Sequence, residues 1–363
     1  SRGLGDVYKR QFFHNIARRW PTCPVIDPNG HYQRDMEIVQ LEDGGKQTSQ
    51  KNWYTQQLQA VFEPVKDWRI VAEGSMRTYI RKQHWAVLPI YAYDVNNEPY
   101  LLSWNGGAAG YSEVQDSRED EDYFSTNIYS DFTKTLGDHY FKVMGGFNAE
   151  LYRPSGLTGF GTDLISPEVP SLGLTQDNKK ASAWQRERAI AGFFGRVNYS
   201  YKERYMLEAN LRYDGSSRFI GDKRWGLFPS FSAGWNIARE TFFEPLTKVV
   251  GTLKLRGSWG QLGNNNTDNT DAWYPFYQNM PTGTASSGWL LGGKKQNTAG
   301  LPGIVSSLMT WETIESWNVG LDWGLFNNRL TGSFDYYNRY TYDMIGPAPT
   351  PVSYTHLTLP TTE

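Results

Sequence analysis

The residue types best suited to binding chemistry are concentrated in one stretch that follows Gln261 and mixes amides, carboxylates and aromatic rings. Paired amides and carboxylates can hydrogen-bond sugar hydroxyls, while an aromatic ring stacks on the apolar face of a pyranose. We therefore predict that this stretch contacts an oligosaccharide. The alternative interpretation is a solvated loop whose rings pack internally or against another protein, because Asn, Asp, Thr and Gly are common in any loop. The candidate residues are Asn264, Asn265, Asp268, Trp273, Tyr274, Tyr277 and Trp289.

Other residues that could carry chemistry do not form a recognisable centre. The acidic run Ser112–Asp122 offers oxygen ligands for calcium, but it lacks the spacing and central glycine of a calcium loop, so we interpret it as a solvated loop. Cys23 is the single cysteine, and the 5 histidines show no zinc-ligand spacing. No nucleophile, base and orienting acid occur at a meaningful spacing. We predict no catalytic residue, no metal, no cofactor and no enzyme activity.

The composition narrows the class of protein. The formal net charge is -2 and the pI is about 6.3, so there is no overall basic field to attract nucleic acid. No run of about 18 apolar residues occurs, which excludes a transmembrane helix. The chain nevertheless contains 14 Trp, 23 Tyr, 18 Phe and 36 Gly at a mean hydropathy of -0.59, a combination that favours β-strands with one oily face.

An alternation of apolar and polar residues is the strongest pattern in the chain. Between Tyr205 and Asp214, odd positions are mainly apolar and even positions mainly polar, which indicates a strand with two different faces. Similar runs occur within 191–200, 230–237, 253–259 and 317–325. Charges on the polar face would be unfavourable in lipid but are compatible with a water-filled lumen. The predicted lumen-facing residues are Arg196, Glu208, Arg212, Lys254 and Arg256.

The connections between the predicted strands fall into two lengths, tight after Pro64, Thr133, Ser200 and Leu325, and long after Ile80, Leu151 and Gln261. Short periplasmic turns and long extracellular loops are typical of an outer-membrane barrel. We therefore predict an all-β fold, an incomplete antiparallel up-and-down transmembrane β-barrel of about ten strands. A secreted β-sandwich or propeller would also show alternation. Earlier strands are predicted at Trp53–Pro64, Asp67–Ile80, Tyr123–Thr133 and His139–Leu151. The segment Asp214–Phe219 (DGSSRF) is interpreted as a turn, because Asp-Gly lies at a strand end.

Several long motifs resemble the SusC/RagA group of TonB-dependent receptors. They include FFGRVNYSYKERYMLEANLRYDGSSRF (193–219), RWGLFPSFSAGWNIARE (224–240), LKLRGSWGQLGNN (253–265) and WNVGLDWGLFNNRLTGSFDYYNRYTYDMI (317–345), with PVIDPNG (24–30) and GGFNAE (145–150) earlier in the chain. The resemblance implies a 22-stranded barrel, an N-terminal plug, a segment that contacts TonB and a SusD-like surface lipoprotein that acts as a lid. It also implies active import of a glycan or peptide across the outer membrane of a Gram-negative cell.

The chain departs from the family pattern at its ends, because no plug or TonB-contact segment is recognised. We expect an internal fragment in which residues 12–350 form a partial barrel domain, while 1–11 and 351–363 resemble translated sequencing-adapter tails. Two other functions remain open. A passive porin would use the same wall without an energy partner, and a secreted carbohydrate-binding β protein would need no membrane.

Overall fold

The computed structural model describes residues 24–33, 37–102, 108–266 and 309–344, the shorter pieces 273–274, 276–277, 280, 282–284, 290–295 and 297–300, and the single residues 14, 17 and 22. Cys23, Asp268, Trp289 and the segments 1–11 and 351–363 lie outside the described residues. The chain divides into two compact units, one with Ser1–Thr55, Arg77–Asp122 and Arg153–Arg186, the other with Gln56–Met76, Tyr123–Tyr152 and Glu187–Glu363.

Strands dominate the described residues. In chain order the elements are helix α1 (Glu37–Glu42) and strands β1 (Gln47–Val65), β2 (Trp68–Val87), β3 (Tyr91–Tyr93), β4 (Pro99–Leu101), β5 (Glu113–Leu136), β6 (His139–Leu164), β7 (Thr175–Gln185), β8 (Arg188–Tyr201), β9 (Tyr205–Ser216), β10 (Trp225–Asn236), β11 (Val250–Asn264), β12 (Thr282–Thr284), β13 (Leu290–Leu291), β14 (Lys294–Lys295), β15 (Asn297–Ala299), β16 (Glu312–Leu325) and β17 (Leu330–Tyr342). Short 3-10 helices occupy Leu172–Leu174, Gly221–Arg224, Ile237–Arg239 and Thr241–Leu246. No helix among the described residues is long and apolar enough to cross a membrane.

One large sheet contains 11 strands. Its path runs β1-β2-β5-β6-β8-β9-β10-β11-β16-β17, with β7 paired to β6, so consecutive long strands are neighbours along most of the path. Along this path, each strand pairing from β6 to β17 is antiparallel. The predicted up-and-down antiparallel architecture is therefore confirmed.

Short turns join the long strands where the sequence predicted them. Several contain a residue in the left-handed region, for example Asp67 with a φ of 72° between β1 and β2 and Gly137 with a φ of 58° between β5 and β6. The turn between β16 and β17 includes Asn327 and Asn328, whose φ angles are 57° and 61°. Asn and Gly tolerate this conformation better than most residues, which explains the Asn-rich turn.

The alternation predicted for β8 to β11 appears as two faces of the sheet. Val197, Ala209, Phe231 and Trp259 lie in one row of the register across β8, β9, β10 and β11. Large apolar residues of this face are solvent-exposed in the isolated chain, with Leu207 53% and Phe231 53% exposed. An exposed apolar face on long, paired strands is the expected lipid-facing surface of a membrane barrel.

Strands β1, β2, β5 and β6, which correspond to the first four predicted strands, are longer than the sequence predicted. The largest difference concerns the acidic run Ser112–Asp122, which was interpreted as a loop but forms the first part of β5, apart from Ser112 itself. In the same way, β6 continues past Leu151 to Leu164 and pairs there with β7. These extensions shorten the connections that the sequence predicted after Ile80 and Leu151.

Candidate functional site

The five charged residues predicted to face a lumen lie on a single face of the sheet. Glu208 on β9 lies opposite Ser232 on β10, and Ser232 lies opposite Ser258 on β11. Arg256 and Lys254 are two and four residues before Ser258, so they share its side of the sheet. Arg196 on β8 lies opposite Asn210 on β9, and Asn210 is two residues away from both Glu208 and Arg212 on its own strand. A strand repeats its side-chain direction every second residue, so all five side chains point to the same side.

Glu208 is the acceptor at the centre of one network on this face. The Asn198 amide donates to Glu208 Oε2 at 2.6 Å, and the Asn210 amide donates to Oε1 at 2.8 Å. Arg196 Nε donates to Asn210 Oδ1 and lies 3.9 Å from Glu208 Oε1. Two amides and a guanidinium therefore hold the carboxylate across β8 and β9.

Arginines on the same face are paired with carboxylates. Arg212 makes two bonds to Asp214 on its own strand, at 3.0 and 2.8 Å. Arg256 donates to Asp322 on β16 at 3.2 Å and to Asp335 on β17 at 2.7 Å. Lys254 lies opposite Asp322 in the register. A groove of about 710 Å³ on this face is lined by residues that include Glu208, Lys254 and Arg256.

The candidate binding stretch begins at the end of β11. Asn264 is the last residue of that strand and lies opposite Glu312, with its amide 3.5 Å from Glu312 Oε2. The structure places Asn265 against β9, where its amide donates to Ser216 Oγ at 3.1 Å. Tyr277 is 64% exposed and Tyr274 is 39% exposed. The two tyrosines thus retain free surface for a ligand, whereas the Asn265 amide already has a protein partner.

Trp273 packs against the wall. Its ring stacks on Tyr152 with a centroid distance of 5.9 Å, and the guanidinium carbons of Arg188 and Arg218 each lie 5.9 Å from the indole centroid. The next residue, Tyr274, accepts a hydrogen bond from the Glu187 backbone N at 3.0 Å. These contacts fix Trp273 and Tyr274 to the middle of β6 and to the start of β8, and they limit the ring surface of Trp273 available for stacking on a sugar.

Sequence reasoning missed the role of the DGSSRF segment, Asp214–Phe219. It was interpreted as a turn, but Asp214, Ser216, Arg218 and Phe219 are all buried. Phe219 belongs to an apolar cluster with Phe228 and Trp311. The large ring of Phe219 directly after Ser217 and Arg218 was the available signal, since a purely solvated turn has no need of a large ring.

The acidic part of β5 is paired with polar residues of β2. His84 Nδ1 lies 2.6 Å from Asp116 Oδ1, Arg81 donates to Glu119 at 3.2 Å and the Thr78 hydroxyl donates to Asp122 at 2.7 Å. Within the described residues, no group of His, Cys, Asp and Glu is arranged to hold a metal ion. Asp116, Glu119 and Asp122 therefore serve cross-strand pairing.

A carboxylate in the turn between β10 and β11 has an altered acidity. Glu240 is buried, accepts a hydrogen bond from the Trp235 indole N at 3.0 Å and lies 3.4 Å from an Arg204 nitrogen. A hydrogen bond from Tyr205, then that from Trp235, and the charge of Arg204 lower the pKa of Glu240 below its ordinary value. The ionised form is thus favoured in the folded turn.

A wide antiparallel sheet with an apolar face and an opposite face of paired charges defines the wall of a transmembrane β-barrel. The chain belongs to the family described as TonB dependent receptor-like, beta-barrel, whose model matches residues 8–361. Members of this family are outer-membrane β-barrels. They are transport proteins, so the family agrees with the prediction that this chain has no enzyme activity.

Individual relatives confirm the resemblance to the SusC/RagA group. The chain is 33% identical over 261 residues to the TonB-dependent receptor SusC of Bacteroides thetaiotaomicron, covering 72% of this chain and 24% of SusC. It is 35% identical over 156 residues to the TonB-dependent receptor P26 of Formosa agariphila, covering 43% of this chain and 15% of P26. A solved structure of the RagAB peptide importer in the closed-closed state matches with a TM-score of 0.73 at 19% identity, over 90% of this chain and 35% of that one. The chain thus spans about a quarter or less of the two receptors and about a third of the solved chain.

Proposed function

We propose that this chain is part of the wall of a receptor that imports a nutrient across the outer membrane of a Gram-negative cell with energy supplied through TonB. The observation that carries the proposal is the contrast between the two sheet faces. Apolar residues such as Leu207 and Phe231 are exposed on one face, while Arg196, Glu208 and Arg256 form networks on the other. The first face suits lipid, and the second suits a lumen that holds water, a plug or cargo.

The cargo is a glycan or a peptide, captured with a SusD-like surface lipoprotein. The resemblance to the SusC/RagA group implies this class of cargo and partner, and the likeness to RagAB, which is described as a peptide importer, supports a peptide in particular. Tyr274 and Tyr277, exposed in the connection that follows β11, are the proposed contacts for cargo, together with Asn264, Asn265, Asp268, Trp273 and Trp289. A tyrosine suits both cargo classes, because its ring stacks and its hydroxyl hydrogen-bonds.

Uptake by the native host tests the import. Cells with and without the gene would receive fluorescein-labelled dextrin oligomers, mannan oligomers or a tryptic casein digest, before and after depletion of TonB. We expect one class of probe to accumulate only when both the gene and TonB are present. If the probe accumulates without TonB, the import is that of a passive porin. If the protein made from the gene is extracted without detergent, it is a secreted β protein instead.

Variants of exposed aromatic residues test the proposed contacts. Tyr277→Ala should raise the half-saturating probe concentration several-fold, because stacking of one ring contributes about 1 kcal/mol. Phe242→Ala is the matched control, since Phe242 is similarly exposed, at 65%, but lies in the turn between β10 and β11. Equal uptake by the Tyr277 and Phe242 variants would remove Tyr277 from the binding residues.

A further inference from the structure

The Asp214–Phe219 segment contains a buried guanidinium just beyond the end of a wall strand. Arg218 is only 3% exposed, although it follows the end of β9 rather than lying within the paired strands. A buried charge is costly unless it is hydrogen-bonded, so its partners indicate what the arginine holds in place. These partners come from the connection that leaves β11.

Arg218 and Ser216 bind Asn265 from two directions. Arg218 Nη1 donates to the Asn265 carbonyl oxygen at 3.0 Å and lies 3.4 Å from Asn266 Oδ1. The Asn265 side-chain amide donates to Ser216 Oγ at 3.1 Å, and the same oxygen accepts the Arg218 backbone N–H at 3.2 Å. The Arg218 guanidinium also lies over the ring of Trp273. The first described residues after β11 are thus fixed to the end of β9.

The neighbouring Phe219 holds the other end of the same connection. Phe219 is 1% exposed and packs against Trp311, the residue before β16, with ring centroids 5.6 Å apart. The Trp311 indole N donates to the Arg224 carbonyl oxygen at 2.9 Å, and Arg224 in turn donates to the Phe219 carbonyl oxygen at 3.2 Å. Two adjacent residues therefore contact the beginning and the end of the long connection between β11 and β16.

We propose that Arg218 and Phe219 are positioning residues that hold Asn265 and Trp311, at the two ends of the β11–β16 connection, and thereby set the presentation of Tyr274 and Tyr277 to cargo. The cargo part rests on the proposed function, but the positioning does not. A rigid attachment at both ends lowers the conformational entropy that the connection would lose on binding. Arg218 is suited to the role because a guanidinium donates in several directions from one plane.

Hydrogen exchange of the protein expressed from its own gene and purified in detergent tests the positioning. Arg218→Met should raise exchange about tenfold or more in peptides covering 264–266 and 273–277, because local opening no longer breaks charged hydrogen bonds. Phe219→Leu should raise exchange in peptides covering 309–312. Arg218→Lys keeps the charge but loses the planar fork of donors, so its effect should be intermediate. Arg329→Met, in the turn at the other end of β16, should leave all these peptides unchanged.

Two outcomes would overturn the inference. One is unchanged exchange at 264–277 in Arg218→Met, and the other is an equal rise throughout β9, β10 and β11, which would mean general destabilisation. Uptake gives a separate readout. For whichever of the labelled dextrin, mannan or casein probes is imported, Arg218→Met should raise the half-saturating concentration and leave the maximal rate unchanged. If the parent protein takes up none of them, the import proposal fails while the exchange result still decides the positioning.

Discussion

Arg256 and Asp335 form an ion pair across an entire strand. Arg256 is on β11 and Asp335 on β17, yet Nη2 and Oδ2 are 2.7 Å apart, because β16 between them carries Gly320 at the same level of the register. A Cβ built on Gly320 would lie 2.6 Å from Arg256 Cζ and 2.8 Å from Asp335 Oδ1. Because Gly320 has no side chain, Arg256 can extend across β16 and pair with Asp335 on β17, a strand that β11 does not neighbour.

Gly320→Ala should break this pair. The new methyl group would displace the end of a flexible side chain rather than backbone, so the strand should remain paired while the guanidinium moves off Asp335. We expect a small decrease in the free energy of unfolding, because a partly exposed charged hydrogen bond is lost. The measurement is the urea midpoint of the protein in detergent micelles.

A double-mutant cycle separates the ion pair from other effects of the alanine. In an Asp335→Asn background, Gly320→Ala should cost clearly less than it does alone, because the pair is already absent. Gly257→Ala is the matched control on the adjacent strand, since its Cβ would have only one contact, at 3.9 Å from the Asn318 oxygen. Full additivity of Gly320→Ala and Asp335→Asn would show that the glycine does not serve the pair.

The alternation was sufficient to predict the strands whose two faces differ. In β8, β9 and β11 it also predicted that Arg196, Glu208 and Arg256 share a face, because side-chain direction along a strand follows directly from sequence parity. It failed in the first part of β5. There Asp116 and Glu119 lie on opposite faces that are both polar, so the apolar and polar contrast vanishes although the strand continues.

The burial of the DGSSRF segment was missed for a different reason. Asp-Gly at a strand end indicates a turn, and Arg218 is charged, so local rules place both in solvent. The partners that bury Arg218 and Phe219 are Asn265 and Trp311, which are far away in sequence. Such contacts depend on strand order and register, which one sequence does not specify.

Cysteine labelling tests the assignment of the two faces. With Cys23 replaced by serine, Glu208→Cys and Ser232→Cys should react in intact membranes with a charged, water-soluble thiosulfonate, because they lie opposite each other on the polar face. Leu207→Cys and Ala233→Cys, the adjacent pair in the register, should react at least about tenfold more slowly, since a thiol in lipid does not ionise readily. The reverse order of reactivity would mean that the lipid-facing side has been misassigned.

The stability of the β10–β11 turn should depend on acid through Glu240. Its folded-state pKa lies below the ordinary 4.5, so the carboxylate stabilises the fold above that pH, and the stabilisation is lost as the pH falls from about 4.5 through the lowered pKa. Hydrogen exchange of 236–247 in the parent protein should therefore accelerate below pH 4.5 beyond the intrinsic pH effect. Glu240→Gln should remove this extra acceleration. Glu244→Gln, an exposed carboxylate in the same turn, should retain it, and an identical profile for both variants would assign the effect elsewhere.

Trp311 should be the most sensitive side chain of the apolar cluster. It is 6% exposed, packs between Phe219 and Phe228, and donates its indole N–H to the Arg224 carbonyl oxygen. Trp311→Ala should cost about 3 to 5 kcal/mol in the urea unfolding free energy, because it empties a buried site. Trp311→Phe keeps most of the packing and should cost about 1 kcal/mol through the lost hydrogen bond.

Trp225→Phe provides the comparison for the Trp311 variants. Trp225 is 37% exposed and stacks on Tyr213 at 4.9 Å, an arrangement that a phenylalanine ring can preserve. Its replacement should therefore change the unfolding free energy by less than about 0.5 kcal/mol. If Trp311→Ala were as mild as Trp225→Phe, the cluster would contribute little to stability, and Phe219 could not hold the end of the β11–β16 connection through Trp311.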